Sequence, residues 1–219
     1  MMVAEGIKRF YSEPDAIITL AGFYNGCSLY TMLLFGLIVY AVIAAYLFSR
    51  EHSEKTLKTI LTIPVSKTSF IISKFIMLFI WILALMIVTW FGTLIFAALY
   101  GAIFRLGEFS IAVAIEYLGK MLIGGALMFL TISPFAFLAT WTKGVVVPII
   151  AAATIAMVNV ALTNEALGAL FPWTATFLFV DGRMAQTGYP YPLSIGLIAL
   201  VSILGFLASV VYFKREDVK

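Results

Sequence analysis

The chain has a single cysteine, Cys27, and a single histidine, His52. One cysteine excludes an internal disulfide and any cysteine-rich metal site, and one histidine excludes a His-Glu-x-x-His zinc motif. Charge is scarce as well: 11% of residues are Asp, Glu, Lys or Arg, against about a quarter in a soluble domain. No Gly-x-x-x-x-Gly-Lys-Ser/Thr loop occurs, so the chain has no recognisable ATP site of its own. The net charge of +3 is too small to suggest a nucleic-acid partner. The apolar runs are almost free of ionisable groups, which argues against an intramembrane protease and against an ion-coupled antiporter. The first residues, MMVAEGIKRFYSEPD, hold no apolar core of the kind a cleavable signal needs.

What is present is apolar surface. Hydrophobic residues make up 63% of the chain, and the mean hydropathy is +1.08. Surface-to-volume scaling forces any water-soluble fold to expose much of its chain, and too few polar residues exist here to cover that surface. The expected fold class is an all-α polytopic membrane protein, a single transmembrane domain over residues 1–219. A crossing needs about 20 apolar residues at 1.5 Å of rise each. Five runs qualify, at roughly 29–48, 75–99, 118–139, 145–162 and 193–213. A sixth, ALGALFPWTATFLFV at 166–180, is short and carries Pro172. It fits a re-entrant or interfacial hairpin within an outer segment 163–192 better than a crossing.

The basic residues orient these spans. With the 49–74 island, the 140–144 turn and the 214–219 tail in the cytoplasm, Arg50, Lys55, Lys58, Lys67, Lys74, Lys143, Lys214, Arg215 and Lys219 lie inside. Lys8, Arg9, Arg105, Lys120 and Arg183 lie outside. That asymmetry follows the positive-inside rule and puts the C-terminus in the cytoplasm of a multi-pass cell-membrane protein. Residues 1–28 are then an extracellular or interfacial segment with nothing before it to translocate it. Either a preceding helix is missing from this sequence, the preferred expectation, or residues 16–28 help the first span insert.

The polar island SREHSEKTLKTILTIPVSKTSFIISKF, residues 49–75, holds five of the basic residues and the histidine. Leu57, Ile60 and Leu61 share one helical face. Glu51–Lys55 and Glu54–Lys58 are i,i+4 pairs in the favourable order. Pro64 discourages helix at Ile63, and Ser66, Thr68 or Ser69 can cap the next helix. The pattern predicts a short amphipathic helix beneath the membrane. It serves either as a surface-lying connector with snorkelling lysines or as a docking knob for a cytoplasmic partner.

Glu51, Thr56, Leu57, Leu61, Pro64, Ser66, Lys67 and Lys74 together resemble the signature of ABC-2 type transporter permeases. The wording EKTLKTILTIPVSKTSFIISK is similar to the bacitracin- and lantibiotic-resistance branch. The resemblance implies that segment 49–69 is a coupling helix seated in a groove of a separate ATPase subunit, which carries ATP and Mg while this chain binds no cofactor. Leu57, Ile60 and Leu61 would fill the groove, and Glu51, Lys55 and Lys58 would set register at its rim. Glu54, Thr56, Pro64 and Lys67 complete the coupling set. It further implies a non-enzymatic export subunit, paired with an identical or related permease and embedded in membrane lipid. The cargo would be a peptide antibiotic, a lipid-linked molecule or an amphiphilic drug. Alternatives are a non-transport scaffold or sensor subunit and, further off, an integral membrane enzyme. The family usually carries six spans with a basic leader, and its common Arg after Pro-x-Ser is Lys67 here, with the same charge but a weaker fork.

Outside the island, Glu116 and Lys120 read as an interfacial ion pair at the outer edge of the third span. Pro134 and Pro148 read as kinks inside spans, and Gly124 and Gly125 as close-approach positions. Asn159 is placed to hydrogen-bond between helices or subunits. Asn159, Phe171, Trp173 and Phe177 are the candidate pathway or gate residues. Trp173, Tyr189 and Tyr191 suit an interfacial aromatic belt.

Overall fold

The computed structural model describes residues 19–54, 66–103 and 109–215. All regular structure among them is helical. Helix α1 runs Leu20–Ser53, α2 Lys67–Ile103, α3 Ile111–Thr142, α4 Val146–Leu162, α5 Pro172–Asp181 and α6 Tyr191–Arg215. Short 3-10 turns, Ala166–Leu170 and Arg183–Thr187, flank α5. Four helices, α1, α2, α3 and α6, are long and apolar enough to cross a membrane, and α4 is a shorter apolar helix of 17 residues.

Every long helix extends beyond its expected span, because hydropathy marks only the part in hydrocarbon while the backbone stays helical until something stops it. The 37 residues of α2 reach about 55 Å, well over the roughly 30 Å apolar thickness of a bilayer. Ser66 starts α2 by accepting the Ser69 backbone N–H at 3.0 Å, as one of the three expected caps. Lys143, at φ 53° in the left-handed region, ends α3. The first helix begins at Leu20, about nine residues before the expected span, where Thr19 caps the Gly22 N–H at 3.2 Å.

Within α1, residues Thr31–Phe35 form a π turn. Its hydrogen bond from the Gly36 N–H to the Thr31 carbonyl spans five residues. A Cβ on residue 36 would stand 2.1 Å from that carbonyl oxygen, so glycine is required there.

Helix α3 is the hub and packs against α1, α2, α4, α5 and α6. Its tightest seam is with α6. A Cβ on Gly205 would lie 2.4 Å from Ser133 Oγ and 2.6 Å from the Pro134 nitrogen. Pro134 cannot donate to the Leu130 carbonyl. The Ser133 hydroxyl sits 3.0 Å from that carbonyl and 3.1 Å from the Ser202 carbonyl of α6, so it serves the acceptor the proline leaves open and joins the two helices. Pro148, expected inside a span, lies in the first turn of α4, where a missing N–H forfeits no helix bond.

The two ends of the transmembrane path meet. Lys67 Nζ, at the start of α2, donates to the Lys214 carbonyl at the end of α6 (3.4 Å), and Phe70 stacks on Phe213 at 5.7 Å. The start of α2 and the end of α6 therefore lie at the same end of the bundle, with α3 and α4 between them in the chain. Helix α5, about 15 Å long, makes no complete pass.

Candidate functional site

Two polar constellations stand out, one at each end of the bundle. The first flanks residues 55–65. Lys74, two turns into α2, is buried with its side chain 9% exposed, and it forms an ion pair with Glu51 of α1, 13% exposed. Its ammonium also donates to the Leu47 carbonyl at 2.6 Å. It lies 4.8 Å from the centre of the Phe70 ring and 5.6 Å from that of Phe48. The site thus supplies an anion, a carbonyl dipole and two ring faces for one buried charge, which is what an ion taken from water requires. Phe48 and Phe75 close it from the bundle side with ring centres 4.7 Å apart.

Glu51, expected at the rim of a docking groove, is turned into the bundle, because the apolar surroundings of Lys74 leave its charge no other acid among the described residues. Glu54 is exposed and takes the Arg50 Nε–H at 3.0 Å. Lys67 lies at the start of α2 against Lys214. Lys55, Thr56, Leu57, Lys58, Ile60, Leu61 and Pro64 lie outside the described residues. The sequence reading used Lys74 only as a position in a pattern. The signal of its burial was available: a lysine framed by Phe70, Ile71, Ile72 and Phe75, Ile76 cannot reach water on most rotations of a helix.

The second constellation holds α5 against the hub. Asn159 of α4 is fully buried. Its Nδ2 donates to the Leu33 carbonyl inside the π turn (3.3 Å), and its Oδ1 accepts the Thr174 hydroxyl (3.0 Å). Trp173 Nε1 donates to the Thr131 carbonyl at 3.0 Å, and its ring packs 5.2 Å from Phe171 and 6.1 Å from Phe135. Phe177 is 1% exposed and carries the Arg183 guanidinium over its face at 5.1 Å. Asn159 therefore bonds between helices of the one chain, and both Asn159 and Phe177 are buried. The sequence reading did not weigh Thr174. A threonine in the first turn after Phe-Pro-Trp carries no signal beyond its hydroxyl, and the pairing with Asn159 depends on how α4 and α5 fold back.

Beyond it, toward the α2–α3 connection, Tyr117 OH donates to Asn25 Oδ1 (2.7 Å) and stacks on Tyr24 with centres 5.0 Å apart. Trp90 Nε1 donates to the Ala114 carbonyl at 2.7 Å. The expected Glu116–Lys120 pair is present at 2.7 Å and partly solvent-exposed, and Lys120 also lies 4.7 Å from the centre of the Tyr117 ring.

Comparison with known proteins identifies the family. Residues 12–159 match the family model described as ABC-2 family transporter protein. A relative, the bacitracin transport permease protein BCRB of Bacillus licheniformis, is 40% identical over 205 residues, covering 94% of this chain and 96% of its own length. No solved structure matches. A family match over more than half the chain, together with a relative aligned almost end to end, establishes the assignment: the chain belongs to the ABC-2 transporter family, as a multi-pass membrane permease.

Proposed function

We propose that this chain is the membrane-spanning permease of an ATP-driven exporter whose cargo is a peptide antibiotic of the bacitracin type or another lipid-linked or amphiphilic molecule. The observation that carries this reading is its 40% identity, over 94% of the chain, with a protein named as a bacitracin transport permease. Two permease protomers, identical or related, pair in the cell membrane with the C-terminus in the cytoplasm. A separate ATPase binds ATP and Mg, and this chain supplies no catalytic group. Segment 49–69 is the coupling element, and residues 163–192 form the outer re-entrant cap over the pathway. The Asn159–Thr174 and Trp173–Thr131 bonds hold that cap closed, and Phe171 and Phe177 fill it.

In this reading Leu57, Ile60 and Leu61 enter a groove on the ATPase, with Lys55, Thr56, Lys58 and Pro64 around them. Glu51 contributes from within, by fixing α1 to α2 beside the segment, while Glu54 and Lys67 bound it. Burying a leucine contributes about 1.5–3 kcal/mol, and forcing an unpaired carboxylate into the same place adds several more. Leu57→Asp is therefore expected to weaken ATPase association by at least about 100-fold while the permease still inserts in the membrane. Pull-down of tagged permease with its ATPase measures this, alongside bacitracin resistance of cells expressing the pair. Unchanged ATPase recovery with Leu57→Asp would overturn the docking role.

A further inference from the structure

Between α2, α3 and α6 the bundle leaves a groove of about 300 Å3. Ile72, Ile76 and Phe79 of α2, Phe129 of α3, and Phe206 and Val210 of α6 line it, over a floor formed by Phe75. Every side chain in its wall is apolar. The rings meet in tilted and edge-to-face contact, with Phe75–Phe206 centres at 4.1 Å, Phe79–Phe129 at 5.0 Å and Phe129–Phe206 at 5.6 Å. The volume is about twice that of an engineered apolar cavity that takes up benzene. Its lip is open: Ile72 is 49% exposed and Ile76 55%. In a bilayer such an opening faces hydrocarbon.

One end of the groove is charged. Phe206, Val210 and Lys214 stand at i, i+4 and i+8, a single stripe of α6. Lys214 and Arg215 are exposed where the stripe ends, and the Lys67 ammonium lies against the Lys214 carbonyl. An apolar slot that leads out of the hydrocarbon to clustered cations matches a ligand with a chain at one end and an anion at the other.

We propose that this groove is a site for an anionic phospholipid, with one acyl chain along the phenylalanine floor and the phosphate against Lys214 and Arg215. A zwitterionic lipid offers the same chain without net charge, so the cations select between them, at about five-fold per basic residue near an anionic headgroup. The site faces the membrane rather than the protomer interior, and it does not rest on the transport reading.

Native mass spectrometry of the purified permease in an equal mixture of dioleoyl phosphatidylglycerol and dioleoyl phosphatidylcholine tests it. Wild type should retain phosphatidylglycerol at least five-fold over phosphatidylcholine. Lys214→Gln with Arg215→Gln, at exposed positions that leave folding intact, should bring that ratio near one. Ile72→Trp, which narrows the groove from its exposed lip, should lower phosphatidylglycerol retention at least five-fold. Val210→Phe repeats the test from the opposite wall. Equal retention of both lipids by wild type, or a preference untouched by the charge substitutions, overturns the headgroup assignment. Undiminished retention after either groove substitution overturns the chain assignment.

Discussion

Breaking the Lys74–Glu51 pair one partner at a time should be far more damaging than removing both. The pair joins α1 to α2, with the two side chains 9% and 13% exposed, so solvent screens it little. Unit charges in hydrogen-bond contact at an effective dielectric of about 20 attract by about 5 kcal/mol. That attraction offsets the desolvation of both ions, and what remains is lost asymmetrically. Glu51→Leu leaves the ammonium with the Leu47 carbonyl and the two ring faces but no anion. Lys74→Met leaves a mostly buried carboxylate without its paired ammonium. Each should cost about 3–5 kcal/mol, whereas the double substitution should lie within about 1 kcal/mol of wild type, because matched apolar replacements avoid desolvation altogether. For a chain of this size 1 kcal/mol moves the melting temperature by about 2–4 °C. The single variants should therefore melt roughly 6–20 °C lower, and the double variant within about 4 °C of wild type. Size-exclusion profiles after stepwise heating in detergent give these midpoints, and the double-mutant cycle isolates the coupling. Additive losses, with the double variant as unstable as the two singles combined, would refute the buried-pair argument. Single losses under about 1 kcal/mol would show that the pair behaves as an exposed one.

Asn159→Leu should cost about 2–4 kcal/mol, since it strands the Thr174 hydroxyl and the Leu33 carbonyl in the interior. It should also speed proteolysis within 163–190, and unchanged cleavage there would mean that other contacts hold α5. Gly205→Ala should cost about 1–3 kcal/mol or prevent folding, as its Cβ meets backbone atoms of Ser133 and Pro134 at 2.6 Å. Gly92→Ala, with nothing within 4 Å of the new Cβ, is the control and should be neutral or stabilising by about 0.5–1 kcal/mol. Equal melting temperatures for the two alanine variants would disprove close α3–α6 contact.

Much of this architecture is legible in the sequence because lipid imposes one requirement on every span. The all-helical, apolar character, the Ser66 cap and the Glu116–Lys120 pair follow from local patterns: run length, a hydroxyl before a helix, and opposite charges four residues apart. Of the five expected spans four are long enough to cross, while α4 is a shorter apolar helix. Side-chain direction on α1 is not local. Glu51 has lysines four and seven residues later in sequence, but the described partner is Lys74, reached only once α1 and α2 pack side by side. The long helices outrun the apolar runs because hydropathy falls at the membrane surface, whereas helix extends to a cap such as Ser66 or Lys143. The π turn at Thr31–Phe35 has no composition signal beyond Gly36. Its hydrogen-bond partner, Asn159, is 126 positions away.

The placement of these ties bears on how the protomer can move. Residues 55–65 connect two helices that are already locked at their base by the Lys74–Glu51 pair and the Phe48–Phe75 contact. A force applied there acts on α1 and α2 together and cannot separate them without exposing a buried charge to hydrocarbon, a cost of several kcal/mol. Further along, α3 and α6 meet at Gly205 with no side chain between them, and Ser133 bonds across the seam. Trp173 and Asn159 secure α5 to α3, α4 and α1. Packed contacts of this kind hold one arrangement or switch to another, and they do not stretch. Within the chain, large displacement is therefore cheapest at α5, where a few hydrogen bonds rather than a glycine seam or a buried charge oppose it.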